Sequence, residues 1–311
     1  MAERTAWGVG LATIGHHGIL DTWYPNPRLG RLDMDLPTEQ KLAKAVRSDE
    51  RRKVQTKVVR IAIDLDDPPK STEDAYLRLH LLSHRYVEPN TVNLDGILDI
   101  LPTVVWTNHG PAEPEAFEET RLTLRATSPS PVLVYGVNRF PRMVDYVIPS
   151  GVRIANANQV LLGAYLARGT MVFHNGFVNF NSRTLGAAIV DGRLGHGVVV
   201  GEESAIGSGA SIMGSLGTSD GKPSSIGQRT LIGASAGVGI SLGNDCVVEA
   251  GLYLTAGTKV NVIGADPRIV KARQLSGESG WLFRRNSVTG AVEAIRNERS
   301  GMHLSQAVHL R

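Results

Sequence analysis

Two places in the chain gather side chains that could handle anions and protons. Near one end, Lys271 precedes the run Arg284, Arg285, Asn286, Ser287. Two adjacent guanidiniums, an ammonium and small polar donors suit phosphate groups, because a guanidinium fork matches two oxygens at once and a lysine adds a point charge. A solvated hairpin would carry the same residues. In mid-chain, Asp191 lies in the tetrad VDGR, two residues before Arg193. On a strand that spacing puts both on one side. A carboxylate there could accept a proton, and the arginine could hold a substrate carboxylate bidentately. An aspartate stabilising an ordinary Asp-Gly turn is the plain alternative.

Other chemistries find little support. The chain has no G-x-x-x-x-G-K-[ST], H-E-x-x-H or G-x-S-x-G. The early fragment GVGLAT lacks the third glycine and the following helix of a dinucleotide fingerprint. One cysteine, Cys246, excludes an internal disulfide framework and a cysteine-cluster zinc site, and is expected to be a small buried stacking residue. His174 and His196 lack a third histidine at matching spacing, and His16, His17 and His303 carry no ligand spacing. A net charge of +3 is mild for a nucleic-acid binder. The densest basic run, Arg47 to Arg60, is interrupted by Asp49 and Glu50 and reads as a solvated segment. No apolar run is long enough to span a membrane and no secretory leader is read, so the expectation is a cytoplasmic protein without membrane or nucleic-acid partners.

The elements that must position these residues show in the glycines and the aliphatics. Of 311 residues 34 are Gly, and 21 of those fall in 151–260 with a single proline, Pro223. Aromatics are only 5%. Branched aliphatics recur every six residues: Ile148, Ile154, Val160, Leu166, Val172, Val178; then Leu194, Val200, Ile206, Ile212; then Ile226, Ile232, Val238; then Leu242, Val248, Leu254, Val260. Glycine often follows directly, as at Gly195, Gly201, Gly207, Gly227 and Gly233. The register breaks across NFNSRTLGAAIVDGR and across 214–225. A six-residue period fits neither a helix nor an alternating strand that ends in a hairpin. It fits a short flat strand plus a tight corner, three of which close one coil of a parallel β-helix, with the aliphatic inward and glycine easing the corner dihedrals. Residues 148–260 give about six coils, stacked at the inter-strand spacing of roughly 4.8 Å.

The flanks differ. Residues 1–125 read as an α/β domain with strands at WGVGLATI and KVVRIAIDL. The segment from Ser71 reads as a helix capped by Ser71 or Thr72, though its leucines are too dense for a simple amphipathic pattern. Residues 126–147 read as a proline-punctuated connector. Residues 261–311 form a C-terminal extension in which WLFRRNSVTGAVEAI is a hairpin around Thr-Gly. Both flanks are natural caps for the open ends of a coil stack, and its flat faces suit side-by-side packing in a homotrimer.

The segments FVNFNSRTLGAAIVDGRLGHGVVVG, GASIMGSLG and LIGASAGVGISLGNDCVVEAGLYLTAGTKV resemble the tetrahydrodipicolinate N-succinyltransferases of the hexapeptide-repeat acyltransferase superfamily, above all their actinobacterial type. The tail VKARQLSG…LFRRNSVTGAVE, and GVGLATI followed by LDTWYP, extend the likeness over nearly the whole chain. It implies a left-handed β-helix, against the usual right-handed crossover rule, and a cytoplasmic homotrimer in diaminopimelate and lysine biosynthesis. It also implies transfer of succinyl from succinyl-CoA, a co-substrate rather than a resident cofactor, to the amine of ring-opened tetrahydrodipicolinate. By resemblance, Asp191 takes the catalytic carboxylate position, as general base or as the nucleophile that forms an acyl anhydride, where actinobacterial members usually carry Glu, and the Gly214 amide is the oxyanion donor. Ser208, Ser211, Ala234, Glu249, Ala250 and Gly257 line the acyl-CoA channel between subunits, Arg193 is counted with the acyl-CoA-binding groups, and Lys271, Arg284, Arg285, Asn286 and Ser287 meet its phosphates. The positions that hold a magnesium ion in related enzymes are Asn158 and Asn175 here, and neutral amides are poor magnesium ligands, so no metal is expected. An acyltransferase of this fold with another acyl-CoA or amine, and a non-catalytic trimeric ligand-binding scaffold, stay open as alternatives.

Overall fold

The computed structural model describes residues 4–215 and 223–297. The chain forms two compact units that divide between Ile148 and Pro149.

In the first unit, the strands Thr5–Gly15 and Val54–Asp64 pair antiparallel from Thr5↔Asp64 to Ile14↔Gln55. Gly18–Trp23 adds to the other side of Thr5–Gly15. The fragment GVGLAT is therefore a strand, and its glycines serve packing: a Cβ on Gly8 or on Gly10 would sit 2.7 Å from the Tyr24 ring. The helix is Thr72–Ser83, capped by Ser71, whose hydroxyl accepts from the Asp74 amide. Its leucines look too dense because every residue from Asp74 to Ser83 is buried. Arg78 is tolerated inside because Asp74 lies 2.7 Å away and three backbone carbonyls accept from the guanidinium. Burial pushes the His80 pKa down to about 3, so its neutral ring accepts from the Tyr24 amide.

Residues 126–147 are more than a connector. Val134–Asn138 pairs antiparallel with Val104–Thr107, and Tyr146 donates to Asp21 at 2.5 Å. The prolines bracket this strand without interrupting it, so the first unit runs on to Ile148.

The second unit is a three-sided column of parallel two-residue strands. The first face stacks Arg153–Ile154, Met171–Val172, Ile189–Val190, Ala205–Ile206, Leu231–Ile232 and Val247–Val248. The second stacks Phe177–Val178, Arg193–Leu194, Ser211–Ile212, Gly237–Gly239 and Tyr253–Thr255. The third stacks Arg183–Thr184, Val199–Val200 and Ser225–Ile226. The second residue of nearly every strand points inward, and the aliphatics from Val160 to Leu254 are at most 2% exposed. The start is later than expected: Ile148 is 77% exposed and Ile154 only half-buried, so the ladder begins in earnest at Val160. Its other end is also different. Val260 is buried, but its strand Lys259–Ile263 leaves the coils and pairs with Arg268–Lys271 and Val292–Arg296. The hairpin Trp281–Arg285/Val292–Arg296 forms as expected, and its first strand runs parallel to Val247–Val248 at the end of the first face.

The first register break dissolves in three dimensions. Thr184 and Val190, both fully buried, continue the six-step ladder. Thr184 escapes an aliphatic reading because it is polar, and its hydroxyl is satisfied 2.7 Å from Thr170 Oγ1. The true slip is only the step from Val190 to Leu194, where a corner of two residues, Asp191 and Gly192, replaces the usual four.

The glycines after the aliphatics also need a different explanation. Gly195, Gly201, Gly207, Gly227 and Gly233 do not have positive φ. A Cβ on Gly227 would lie 2.3 Å from the Gly243 carbonyl carbon, and one on Gly233 2.4 Å from the Ala250 nitrogen. These glycines allow coil to lie on coil. The left-handed residue comes two positions later, at Gly197, Glu203, Gly209, Arg229 and Ser235.

Candidate active site

The edge between the first and second faces carries much of the expected site. Its corners are 173–176, 191–192, 207–210, 233–236 and 249–252 in successive coils. Asp191, Ser208, Ala234, Glu249 and Ala250 therefore rise along one edge. The backbone links them: Ser235 N donates to Ser208 O at 2.8 Å and Gly251 N to Ala234 O at 2.8 Å. At the top, Glu249 Oε2 accepts from the Arg285 amide at 2.6 Å, which joins the edge to Arg284, Arg285, Asn286 and Ser287.

The short corner makes a recess at Asp191. Its neighbours above and below have two more residues each, so they project past it. Gly192 is what allows the chain to draw in so far, since a Cβ there would lie 2.5 Å from Ala210 O and 2.8 Å from Gly207 O. Asn175 reaches over the recess and donates to Ser208 Oγ at 3.0 Å, while its own amide lies 3.4 Å from Asp191 Oδ1. Asp191 is half-buried there.

Arg193 and Ser211 stand next to each other on the second face, in register. Arg193 forms no ion pair with Asp191 among the described residues. A corner, not a continuous strand, separates them, and the guanidinium lies 4.7 Å from the centre of the Phe177 ring.

Gly214 is elsewhere. It follows Ile212 on the far edge of the second face, directly over Gly195 and His196: a Cβ on Gly214 would lie 2.5 Å from His196 N and O. Among the described residues its amide takes no part in the backbone bonding of the column. Gly257 lies on that same far edge in the turn 255–258, and Lys271 comes with it, since Ala272 N donates to Thr258 O at 2.8 Å. One chain thus splits the expected residues between two edges of a single face.

The phosphate cluster is not equally available. Arg284 Nε and Nη2 lie 3.0 and 2.9 Å from Glu293 Oε2, and Asn286 Nδ2 donates to Glu293 Oε1 at 2.8 Å. The Asn286 hydrogen bond, then Arg284, hold the Glu293 carboxyl below its usual range. Arg285 makes a weaker commitment, one Nη1 donating to Gly290 O at 2.9 Å. Glu293 could not be recognised from the sequence, because its partners are seven and nine residues away across a hairpin.

The remaining candidates fall into structural roles. Asn158 N donates to Asn156 Oδ1, which caps a short turn, and Asn175 spends its side-chain amide on Ser208. His174 and His196 lie on different edges. His17 pairs with Glu113 at 3.3 Å, and His303 lies outside the described residues. Cys246 is fully buried, its thiol pushed up by burial and 3.4 Å from Glu278 O. In the basic run, Arg51 and Arg52 each turn a guanidinium onto Asp49 at 2.9 Å. No described helix is long and apolar enough to cross a membrane.

Comparison with known proteins agrees with this architecture. Residues 223–256 match the hexapeptide repeat of succinyl-transferase, and residues 101–142 match the middle segment of tetrahydrodipicolinate N-succinyltransferase. A 2,3,4,5-tetrahydropyridine-2,6-dicarboxylate N-succinyltransferase of Salinispora tropica is 51% identical over 98% of this chain and 98% of its own. One of Vibrio cholerae is 46% identical over 87% of this chain and 79% of its own. A solved Campylobacter jejuni structure, described as a 2,3,4,5-tetrahydropyridine-2-carboxylate N-succinyltransferase, superposes with a TM-score of 0.82 at 26% identity, covering 95% of this chain and 93% of that one. The column is accordingly a left-handed β-helix of hexapeptide coils. With half its residues shared along almost its entire length, the chain belongs to the tetrahydrodipicolinate N-succinyltransferase family.

Proposed function

We propose that the protein transfers the succinyl group of succinyl-CoA to the amine of ring-opened tetrahydrodipicolinate, L-2-amino-6-oxopimelate, in diaminopimelate and lysine biosynthesis. The observation that carries the site assignment is the two-residue corner. It sets Asp191 in a recess at the foot of an edge that leads through small residues to Arg285. Asp191 accepts a proton from the substrate ammonium. The freed amine attacks the thioester carbonyl, and the oxyanion of the tetrahedral adduct takes the Gly214 amide. Collapse breaks the C–S bond, and the leaving CoA thiolate takes up the second proton, which the adduct nitrogen loses as the amide forms.

Asp191 and Gly214 sit on different edges of one face, so a single chain does not offer both to one carbonyl. The arrangement supports a homotrimer in which the Asp191 edge of one copy faces the Gly214 edge of the next. The acyl-CoA then lies between two columns, where Ser208, Ser211, Ala234, Ala250 and Gly257 leave room. Succinyl-CoA enters as co-substrate, and a donor of that kind suits a cytoplasmic enzyme.

Thiol release tests the reading. Release is expected with succinyl-CoA plus tetrahydrodipicolinate. Release with acetyl-CoA alone, or none with either donor, would contradict it. The cation cluster adds a graded expectation. Arg285→Ala should weaken CoA binding by about 10-fold or more, the scale of one lost charge-assisted hydrogen bond. Arg284→Ala should cost less, because a phosphate must compete with Glu293 for that guanidinium. Neither change should alter binding of a pantetheine fragment that lacks the phosphates; equal losses for both ligands in titration calorimetry would remove the phosphate assignment.

A further inference from the structure

We propose that His196 is a positioning residue that holds the Gly214 amide in place. The inference rests on the reading of Gly214 as oxyanion donor and deepens it.

Between Ile212 and Ile226 the chain takes fourteen steps where one regular side of a coil takes six. Gly214 and Ser215 open that stretch just past the strand Ser211–Ile212, and His196 lies against them. Its carbonyl accepts from Ser215 N at 3.3 Å, and its ring Nδ1 lies 3.0 Å from Ser215 Oγ. The glycine pair allows this closeness: a Cβ on Gly195 would lie 2.4 Å from Gly214 N.

The ring is itself held from behind. Asn181, 5% exposed and in the left-handed region with φ 58, places Nδ2 at 3.4 Å from His196 Nε2. An amide N–H can only donate, so Nε2 accepts, Nδ1 carries the proton, and Ser215 Oγ receives it. The Phe180 ring packs 4.5 Å from the imidazole. Burial lowers the His196 pKa, which keeps the ring neutral and this tautomer intact. The imidazole thus braces the first two residues of the excursion against the coil beneath. Gly214 N–H then points in one direction before substrate arrives, as a preorganised oxyanion donor must.

Steady-state kinetics on the trimeric enzyme test this. His196→Phe fills the space without the brace, and Ser215→Ala removes the acceptor from a partly exposed position that the core does not depend on. Each should lower kcat by about 10-fold and leave KM for succinyl-CoA and for the amine within about two-fold. The double variant should lose no more than either alone, since both cut one connection. His196→Asn, whose amide can reach Ser215 from the Nδ1 position, should recover most of the rate. Unchanged kcat in Ser215→Ala, additive losses, or a change confined to KM would overturn the proposal. A wild-type enzyme that releases no CoA from succinyl-CoA would instead overturn the function beneath it.

Discussion

Asp191→Asn should lower kcat by about 10²–10⁴-fold, the range lost when a positioned general base is removed. The substitution keeps the shape of the side chain. The oxygen that faces the Asn175 amide remains, and Gly192 still draws the corner in. What disappears is the ability to accept a proton. CoA affinity should stay within about two-fold of wild type, because Asp191 is not among the groups proposed for CoA, which run from Ser208 up this edge and from Gly257 to Lys271 on the far one. Stopped-flow thiol release together with calorimetric CoA titration separates the two effects. An enzyme that keeps its kcat, or that loses CoA binding and rate in parallel, would show that Asp191 is a turn residue and nothing more. Asp191→Glu is a milder change. The recess is bounded by the projecting corners 173–176 and 207–210, so one more methylene changes reach without blocking the slot, and partial activity is expected.

The expected cost is large because of the corner in which Asp191 lies. A four-residue corner would carry the side chain outward with its neighbours. The loss of two residues between Val190 and Arg193 recesses it instead, under the Asn175–Ser208 bridge. A proton acceptor in a recess is reached by bulk water from fewer sides, which favours its contact with a bound amine.

Much of this is legible in the sequence, for identifiable reasons. Stacked coils repeat one environment every six residues, so the ladder from Val160 to Leu254 writes itself into the aliphatics. Ser71 before a helix and Thr-Gly between two strands are local signals with local causes, and the structure has the cap and the hairpin. Other features depended on contacts distant in sequence. Thr184 is a ladder residue that looks polar, and only Thr170, fourteen residues earlier, explains why it can be inside. The corner glycines looked like residues freed for unusual dihedrals, whereas their requirement comes from the backbone of the next coil. Ile148 shares the spacing but precedes the first strand, where no coil exists to cover it. In the site, residue types pointed to Asp191 and to the arginines, but spacing could not show that Gly214 lies on another edge, that Glu293 holds Arg284, or that His196 reaches Ser215. The short corner and the long excursion shift the register, and each shift hides which edge a later residue occupies.

Because Asp191 and Gly214 lie on two edges of one face, the proposed mechanism requires each active site to be shared by two copies. Mixing two defective enzymes tests it. Asp191→Asn lacks the base. Gly214→Ala forces its backbone away from His196, where a Cβ would lie 2.5 Å from N and O, and should cost about 10²-fold or more through the displaced oxyanion donor. In a ring of three, every mixed trimer contains one junction where an intact Asp191 meets an intact Gly214. The two variants, unfolded together and refolded at equal amounts, should therefore regain about a quarter of wild-type turnover, although each alone is nearly inactive. A mixture no more active than the mean of its parents, with hybrid trimers verified by native mass spectrometry, would mean that Asp191 and Gly214 do not act at a common site between subunits.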